Sequence, residues 1–313
     1  MGARSTRIRR DEVLTPPEFR GREASGNPAA RVGGARLELL PCDGGARWGF
    51  CYQQIPLRLM PPFCLKNEPG ALQYLVNLTA GLMDGDAHLV ELTVRPGVRA
   101  VVTGQSATRV HPALDSYATQ QWNVRIEGDA MLVALPGPVI PYQKCRYYQR
   151  GRVDLARDAR LIWGDVWLPG RYERGALSER FAFERMVQDF EVRREGRLIF
   201  RDRFCWDGPW TDDEARWHFG AGWAAATLLI AGPAPAIEHS SEPNCLRSVF
   251  PLESGDTCVR WCGEPAAVTD DLVRWALGSA GFWTGGPGAP PWLLDSGGLT
   301  PNHWFSPLRA SPV

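Results

Sequence analysis

Residues 92–103 read LTVRPGVRAVVT: a short alternating apolar run, a Pro-Gly turn and a second alternating run. Period-two alternation marks a half-buried β-strand, and Pro-Gly supplies the backbone angles of a tight turn. The same unit returns as VRIEGDAMLVAL (124–135), VDLARDARLIWG (153–164) and FEVRREGRLIFR (190–201). The first residues of successive copies lie 32, 29 and 37 positions apart. At such spacings one supersecondary unit stacks on the next, and each buries its neighbour's apolar face. The repeat therefore predicts a mainly β chain, built as stacked β-hairpins or a β-helix-like solenoid.

The texture changes on either side of this repeat. Residues 1–34 are rich in Arg, Gly, Pro and Ala with no apolar period, and read as a disordered tail ahead of a β-stack over 35–206. From 207 to 283 the runs GWAAATLLIAGP (222–233), CLRSVFPL (245–252) and TCVRWC (257–262) predict further strands. A helix follows, with Thr269 as its N-cap and Asp270 and Asp271 in the first turn. This makes 207–283 a small α/β portion of the same domain. Residues 284–313, rich in Pro, Gly and Trp, form a second tail outside the core.

The chain has 313 residues and 44% apolar content, enough for a sizeable core. Thirty-five basic residues balance thirty-five acidic ones, so no long-range field draws it to nucleic acid or an anionic membrane. Arg9-Arg10 is followed by Asp11 and Glu12 and by no apolar stretch, unlike an export signal. The most apolar run, Trp223 to Ala231, is about half the roughly 20 residues that cross a bilayer as a helix. A soluble, cytoplasmic protein with reduced cysteines is expected.

Enzyme signatures are missing. No GxxxxGK[ST] loop or GxGxxG fingerprint occurs, and neither Lys66 nor Lys144 sits in a glycine-rich turn. The five histidines (88, 111, 218, 239 and 303) form no pair on one face, and no GxSxG elbow is present. Cys258 and Cys262 share a strand face but lie about 13 Å apart by strand rise, too far for one ion. A catalyst with a bound cofactor is not expected.

The polar residues between Tyr52 and Val110 occupy places that packing alone does not require. YQQIPLRLMPP (52–62), NLTAGLMDGD (77–86) and VVTGQSATRV (101–110) occur in this order, followed by GRVDLARDARLIWGDVWLPGRYERG (151–175) and RFCWDG (203–208). Together they resemble the UreD family of urease accessory proteins, from about Ala35 to Trp283. Arg109, His111, Asp165 and Ala176 depart from the residues usual there. The resemblance implies an all-β helical stack without catalysis. It further implies binding to the urease apoprotein and, through a UreF-like partner, to a UreG-like GTPase, with nickel passing through an internal channel to the nascent active site.

Such a channel needs weak oxygen ligands, since clustered thiolates or imidazoles would trap the ion. Asp84 and Asp86 flank a glycine turn, and Thr103, Gln105, Ser106 and Thr108 supply neutral oxygens; the same residues could instead shape the turn and cap strand edges. Asp165 lies in LIWGDVWL, where both faces are apolar and Trp163 and Trp167 share its face, so its carboxylate must be paired, hydrated or neutralised. Either it lines the channel or it pairs with an arginine such as Arg160 or Arg171. Asp202, among Phe200, Phe204 and Trp206, poses the same choice. Two rival readings remain: a carbohydrate-recognising β-solenoid would show rows of surface Trp and Tyr, and a β-helical enzyme would show carboxylates at fixed spacing on a strand ladder.

Overall fold

The computed structural model describes residues 7–23, 30–64, 70–171, 179–220 and 222–281. The expectation for 284–313 lies outside these. In chain order the strands are β1 (Val32–Cys42), β2 (Gly45–Gln54), β3 (Leu57–Leu59), β4 (Phe63–Cys64), β5 (Ala71–Asn77), β6 (Ala87–Val94), β7 (Arg99–Gly104), β8 (Thr108–Val110), β9 (Ala118–Ile126) and β10 (Met131–Leu135). They continue with β11 (Val139–Pro141), β12 (Arg146–Leu155), β13 (Arg160–Trp167), β14 (Arg185–Arg194), β15 (Arg197–Asp207), β16 (Ala224–Ala231), β17 (Ser240–Glu242), β18 (Cys245–Pro251) and β19 (Thr257–Gly263). Two helices, α1 (Asp212–Phe219) and α2 (Pro265–Ser279), complete the described elements. The protein is mainly β, in two facing sheets.

One sheet has seven strands in the order β15-β14-β12-β9-β6-β1-β2; the other has twelve, with the path β17-β18-β19-β16-β13-β10-β7-β5-β3. The repeat explains how they are joined. β6, β9 and β12 run parallel in the first sheet, while β7, β10 and β13 run parallel in the second. The two strands of a unit thus belong to different sheets, and the turn between them is an arch, not the hairpin expected from sequence. Leu92 and Val94 of β6 face the same core as Ala100 and Val102 of β7, each from its own sheet, because each strand pairs with its counterpart in the next unit, β6 with β9 and β7 with β10. Register is kept through all three arches, with Leu92 opposite Val124 opposite Val153, and Ala100 opposite Leu132 opposite Leu161. The fourth copy is a hairpin, β14 with β15, and Val153 meets Val192, not Phe190.

The turns stack as the strands do. Val98 N donates to Arg95 O (3.2 Å), Ala130 N to Glu127 O (3.1 Å) and Ala159 N to Ala156 O (3.3 Å), closing each arch in the same way. Between arches, Glu127 N donates to Val94 O, Met131 N to Val98 O, Ala156 N to Ile126 O and Arg160 N to Ala130 O, each at 2.9 Å. Every one of these polar turn groups is satisfied by its neighbour.

Both outer faces are partly covered. Against the twelve-stranded sheet, Val268, Leu272, Ala276 and Leu277 of α2 pack on Val101, Val133, Ile162 and Leu228. Helix α2 begins at Pro265, a turn before the expected start: proline at the first position needs no partner for a missing N–H, and Thr269 lies inside the helix with its hydroxyl donating to Pro265 O (2.7 Å). Helix α1 was not read from the sequence, although Thr211 and Glu214 form a capping box. Residues 7–23, read above as part of a tail, lie on the outer face of the seven-stranded sheet. Ile8 packs with Ala87 and Leu89, and Phe19 stacks on Tyr117 at 4.5 Å. Three widely spaced anchors, Ile8, Val13 and Phe19, hold this segment without any periodic pattern.

Leu132, wholly buried in the middle arch, tests the stack. Leu132→Ala is expected to lower stability by about 3 kcal/mol in urea denaturation, as for a cavity that parallel neighbours on both sides cannot collapse.

Candidate functional site

The space between the sheets is not uniformly apolar. One cluster, with Leu92, Val124, Val153, Leu132 and Trp163, fills the arch end; another, with Ala118, Tyr147, Trp167, Met186 and Phe219, fills the opposite end. Between them runs a row of polar side chains. Strand pairing aligns His88 with Gln120, Gln120 with Gln149, and Gln149 with Gln188, so the seven-stranded sheet carries four polar residues side by side on its inner face. Across the gap the twelve-stranded sheet aligns Asp165 with Thr227, and Thr227 with Arg260.

Hydrogen bonds connect this layer. The Tyr147 hydroxyl stands 3.4 Å from Gln120 Oε1 and 3.3 Å from Gln149 Oε1, and Gln149 Nε2 donates to Asp165 Oδ1 at 2.8 Å. Trp163 Nε1 donates to the other carboxylate oxygen at 2.9 Å. Asp165 is 5% exposed, and burial pushes its pKa up to about 7; the two hydrogen bonds oppose that rise and the charge of Asp202 adds to it. At the far side Asp202 Oδ1 pairs with Arg260 Nη2 at 3.0 Å. His88 Nε2 and Gln188 Oε1 are buried with no hydrogen-bond partner. Buried polar atoms are satisfied nine times in ten or more, and two of the exceptions among the described residues fall in this one row.

The layer opens at a cavity of about 40 Å³ lined by His88, Gln120, Gln105, Ser106 and Thr108. Two glycines make this mouth possible. Gly81 has φ +148°, and a Cβ there would lie 2.3 Å from Arg109 O; a Cβ on Gly104 would lie 2.4 Å from Pro136 O.

The residues singled out from sequence thus fall into four groups. Gln105, Ser106 and Thr108 line the mouth, and Asp165 and Asp202 lie deeper in the layer. Thr103 does not line the mouth: it is fully buried and alternates with Val102, whose side chain belongs to the inter-sheet core. Asp84 accepts from Asp115 N and Ser116 N, each at 3.0 Å, while Asp86 accepts from Arg31 N and Met83 N, each at 2.9 Å, so both carboxylates fasten backbone loops. Neither arginine suggested for Asp165 reaches it. Arg171 pairs with Glu179, and Arg160 donates to Pro233 O and Ser279 O; alternation turns Arg160 away from the aspartate's face.

Sequence reading missed His88, Gln120, Tyr147, Gln149 and Gln188. The signal was present: the four row residues each stand four positions before the register residues Leu92, Val124, Val153 and Val192. A polar residue at one fixed phase of an apolar repeat is a row once the copies stack.

Residues 31–276 match the model of the UreD urease accessory protein family. The chain belongs to this family. Among its UreD relatives, the urease accessory protein UreD of Natronomonas pharaonis is 35% identical over 238 residues, covering 71% of this chain and 77% of that protein. The urease accessory protein UreD of an Anaeromyxobacter species is 31% identical over 174 residues, covering 55% of this chain and 56% of that one. The urease accessory protein UreH of Helicobacter pylori is 26% identical over 212 residues, covering 66% and 78%. Against the first two UreD relatives found, the chain spans little more than half their length, 56% in each case. Among the described residues no helix is long and apolar enough to cross a membrane.

Asp165 binds its proton more tightly in the folded chain than in the unfolded one, so stability is lost as pH rises from the ordinary aspartate range through about 7. Asp165→Asn removes the ionisable group. The variant's stability advantage over the parent is expected to grow between pH 5 and pH 8 by roughly 2–4 kcal/mol, read from thermal melts at each pH.

Proposed function

We propose that this protein is a urease maturation factor, a chaperone acting in the cytoplasm that binds the urease apoprotein and, with a UreF-like partner and a UreG-like GTPase, supports nickel insertion. Membership of the UreD family supports the urease role. The observation that carries the mechanism is the polar layer between the sheets. Its groups are amide, hydroxyl and phenol oxygens with single carboxylates and the one imidazole of His88, and among the described residues no three His, Cys, Asp or Glu side chains gather where one ion could be held. Weak oxygen donors in succession let a divalent ion exchange from one to the next.

In this reading nickel is cargo. It enters past Gln105, Ser106 and Thr108, passes the side-chain oxygens of Gln120 and Gln149, meets the carboxylate of Asp165 and leaves near Asp202. Asp84 and Asp86 fix the loops beside the mouth, and Thr103 backs the strand that leads to it. The stacked arches act as a solenoid-like frame that keeps the two walls apart. Docking of sugars on a row of aromatic rings has no comparable support: among the described tryptophans and tyrosines only Trp217 is exposed.

The test is co-expression with a cognate urease. Without this chain the enzyme is expected to accumulate nickel-poor and inactive, and full loading in its absence would refute the role. Gln149→Leu, which replaces the central amide by an apolar side chain of similar size, is expected to lower urease nickel content about tenfold or more while the variant chain itself stays folded by circular dichroism.

A further inference from the structure

We propose that residues 7–23 are a positioning strap for the polar row, bound across the back of the wall that carries it. The inference deepens the conduit reading and rests on it for the function that the row serves.

The segment reaches every strand of the seven-stranded sheet. At one edge the Gln54 side chain of β2 takes both backbone groups of Ile8: its Oε1 accepts from Ile8 N and its Nε2 donates to Ile8 O, each at 3.0 Å. Ile8 and Val13 cluster with Val32 of β1 and with Ala87 and Leu89 of β6, and Glu12 pairs with Arg36 of β1. On β9, Gln121 repeats the fork on Leu14, accepting from its N at 3.1 Å and donating to its O at 2.6 Å. Phe19 packs with Tyr148 of β12 and Val187 of β14, and Glu18 pairs with Arg203 of β15 at the other edge. The buried anchors supply most of the hold, since Ile8 and Phe19 are each 1% exposed and partly exposed ion pairs add little.

The strap lies at the level of the row. Ala87, Thr119, Tyr148 and Val187 are aligned strand to strand on the face beneath it. Each is the chain neighbour of a row residue, His88, Gln120, Gln149 or Gln188, and neighbours in a strand point to opposite faces. Strap and row are therefore the two sides of one strip of wall. That strip has few side-chain bonds of its own: the hydrogen bonds within the row pass through the Tyr147 hydroxyl at 3.4 and 3.3 Å, and His88 Nε2 and Gln188 Oε1 at its two ends have no partner. The arches tie the walls on the far side of the register residues Leu92, Val124 and Val153. A crossbar holding all seven strands limits splay at a level that the arches do not reach, and so keeps the row's oxygens in line, as outer partners orient the groups that meet a metal.

The experiment uses the full chain carrying Ile8→Ser and Phe19→Ser together, with Phe19→Ser alone as the milder variant that carries the test should the pair unfold the chain. Leu14→Ala, which trims a side chain 52% exposed, is the control. The readouts are the side-chain ¹⁵N amide resonances of Gln120, Gln149 and Gln188, set against the methyl resonances of Leu132 and Leu161 in the arch-end core. The row amides are expected to shift and broaden in the strap variants while the arch-end methyls and the control stay unchanged. Row amides that do not respond overturn the inference, and so do methyls that move as much as the amides, because the segment would then be a general stabiliser. In co-expressing cells the Phe19→Ser chain is expected to bind the urease apoprotein like the parent and to leave it with about tenfold less nickel. Normal loading by that variant overturns the strap and leaves the conduit standing, whereas loading that needs no chain at all refutes the maturation role, with the resonances still deciding the strap.

Discussion

Parallel register across the three arches is the constraint on which the other features depend. Each arch commits its first strand to one sheet and its second to the other, and the hydrogen bonds between successive turns allow no slip of one arch against the next. A slip of one residue would turn every inward side chain outward. Because register is fixed, equivalent positions of successive units become neighbours. Leucines and valines at one phase make the arch-end core, and the His and Gln residues four positions earlier make the polar row. Core and candidate conduit are two phases of one repeat.

The electrostatics of the layer follow from this placement. A row of amides between two apolar clusters has no bulk water to solvate an ion, so a carboxylate set among them is costly to ionise. Asp165 is held between a tryptophan N–H and a glutamine amide, and burial pushes its pKa up to about 7. Arg260 pairs with Asp202 at the far side, so the two carboxylates of the layer differ in kind: one is supported by neutral donors, the other by a cation.

The β character and the repeat were legible because period-two alternation and turn residues are local properties. Whether a strand–turn–strand unit closes as a hairpin or opens as an arch is not local: both need the same alternation and the same tight turn, and the choice is made by the partner strands. The same limit applied to the site. Gln105, Ser106 and Thr108 could be picked out because they cluster in one segment, whereas His88, Gln120, Gln149 and Gln188 are about thirty to forty residues apart and look like isolated polar residues until stacked. Helix α1 was missed although its capping box is local, and the packing of residues 7–23 was missed because three anchors without a period leave no pattern to read.

The turns of the arches have one more consequence. Arg95 to Val98, Glu127 to Ala130 and Ala156 to Ala159 each bridge the two sheets with the same short span, closed by the same hydrogen bond. The separation of the walls on that side is therefore a covalent dimension, set by the number of bonds in a turn and not by how well the interior is filled. Side chains in the row can be exchanged to alter the calibre of the space between the sheets. The sheets themselves are bound along that edge like the leaves of a book.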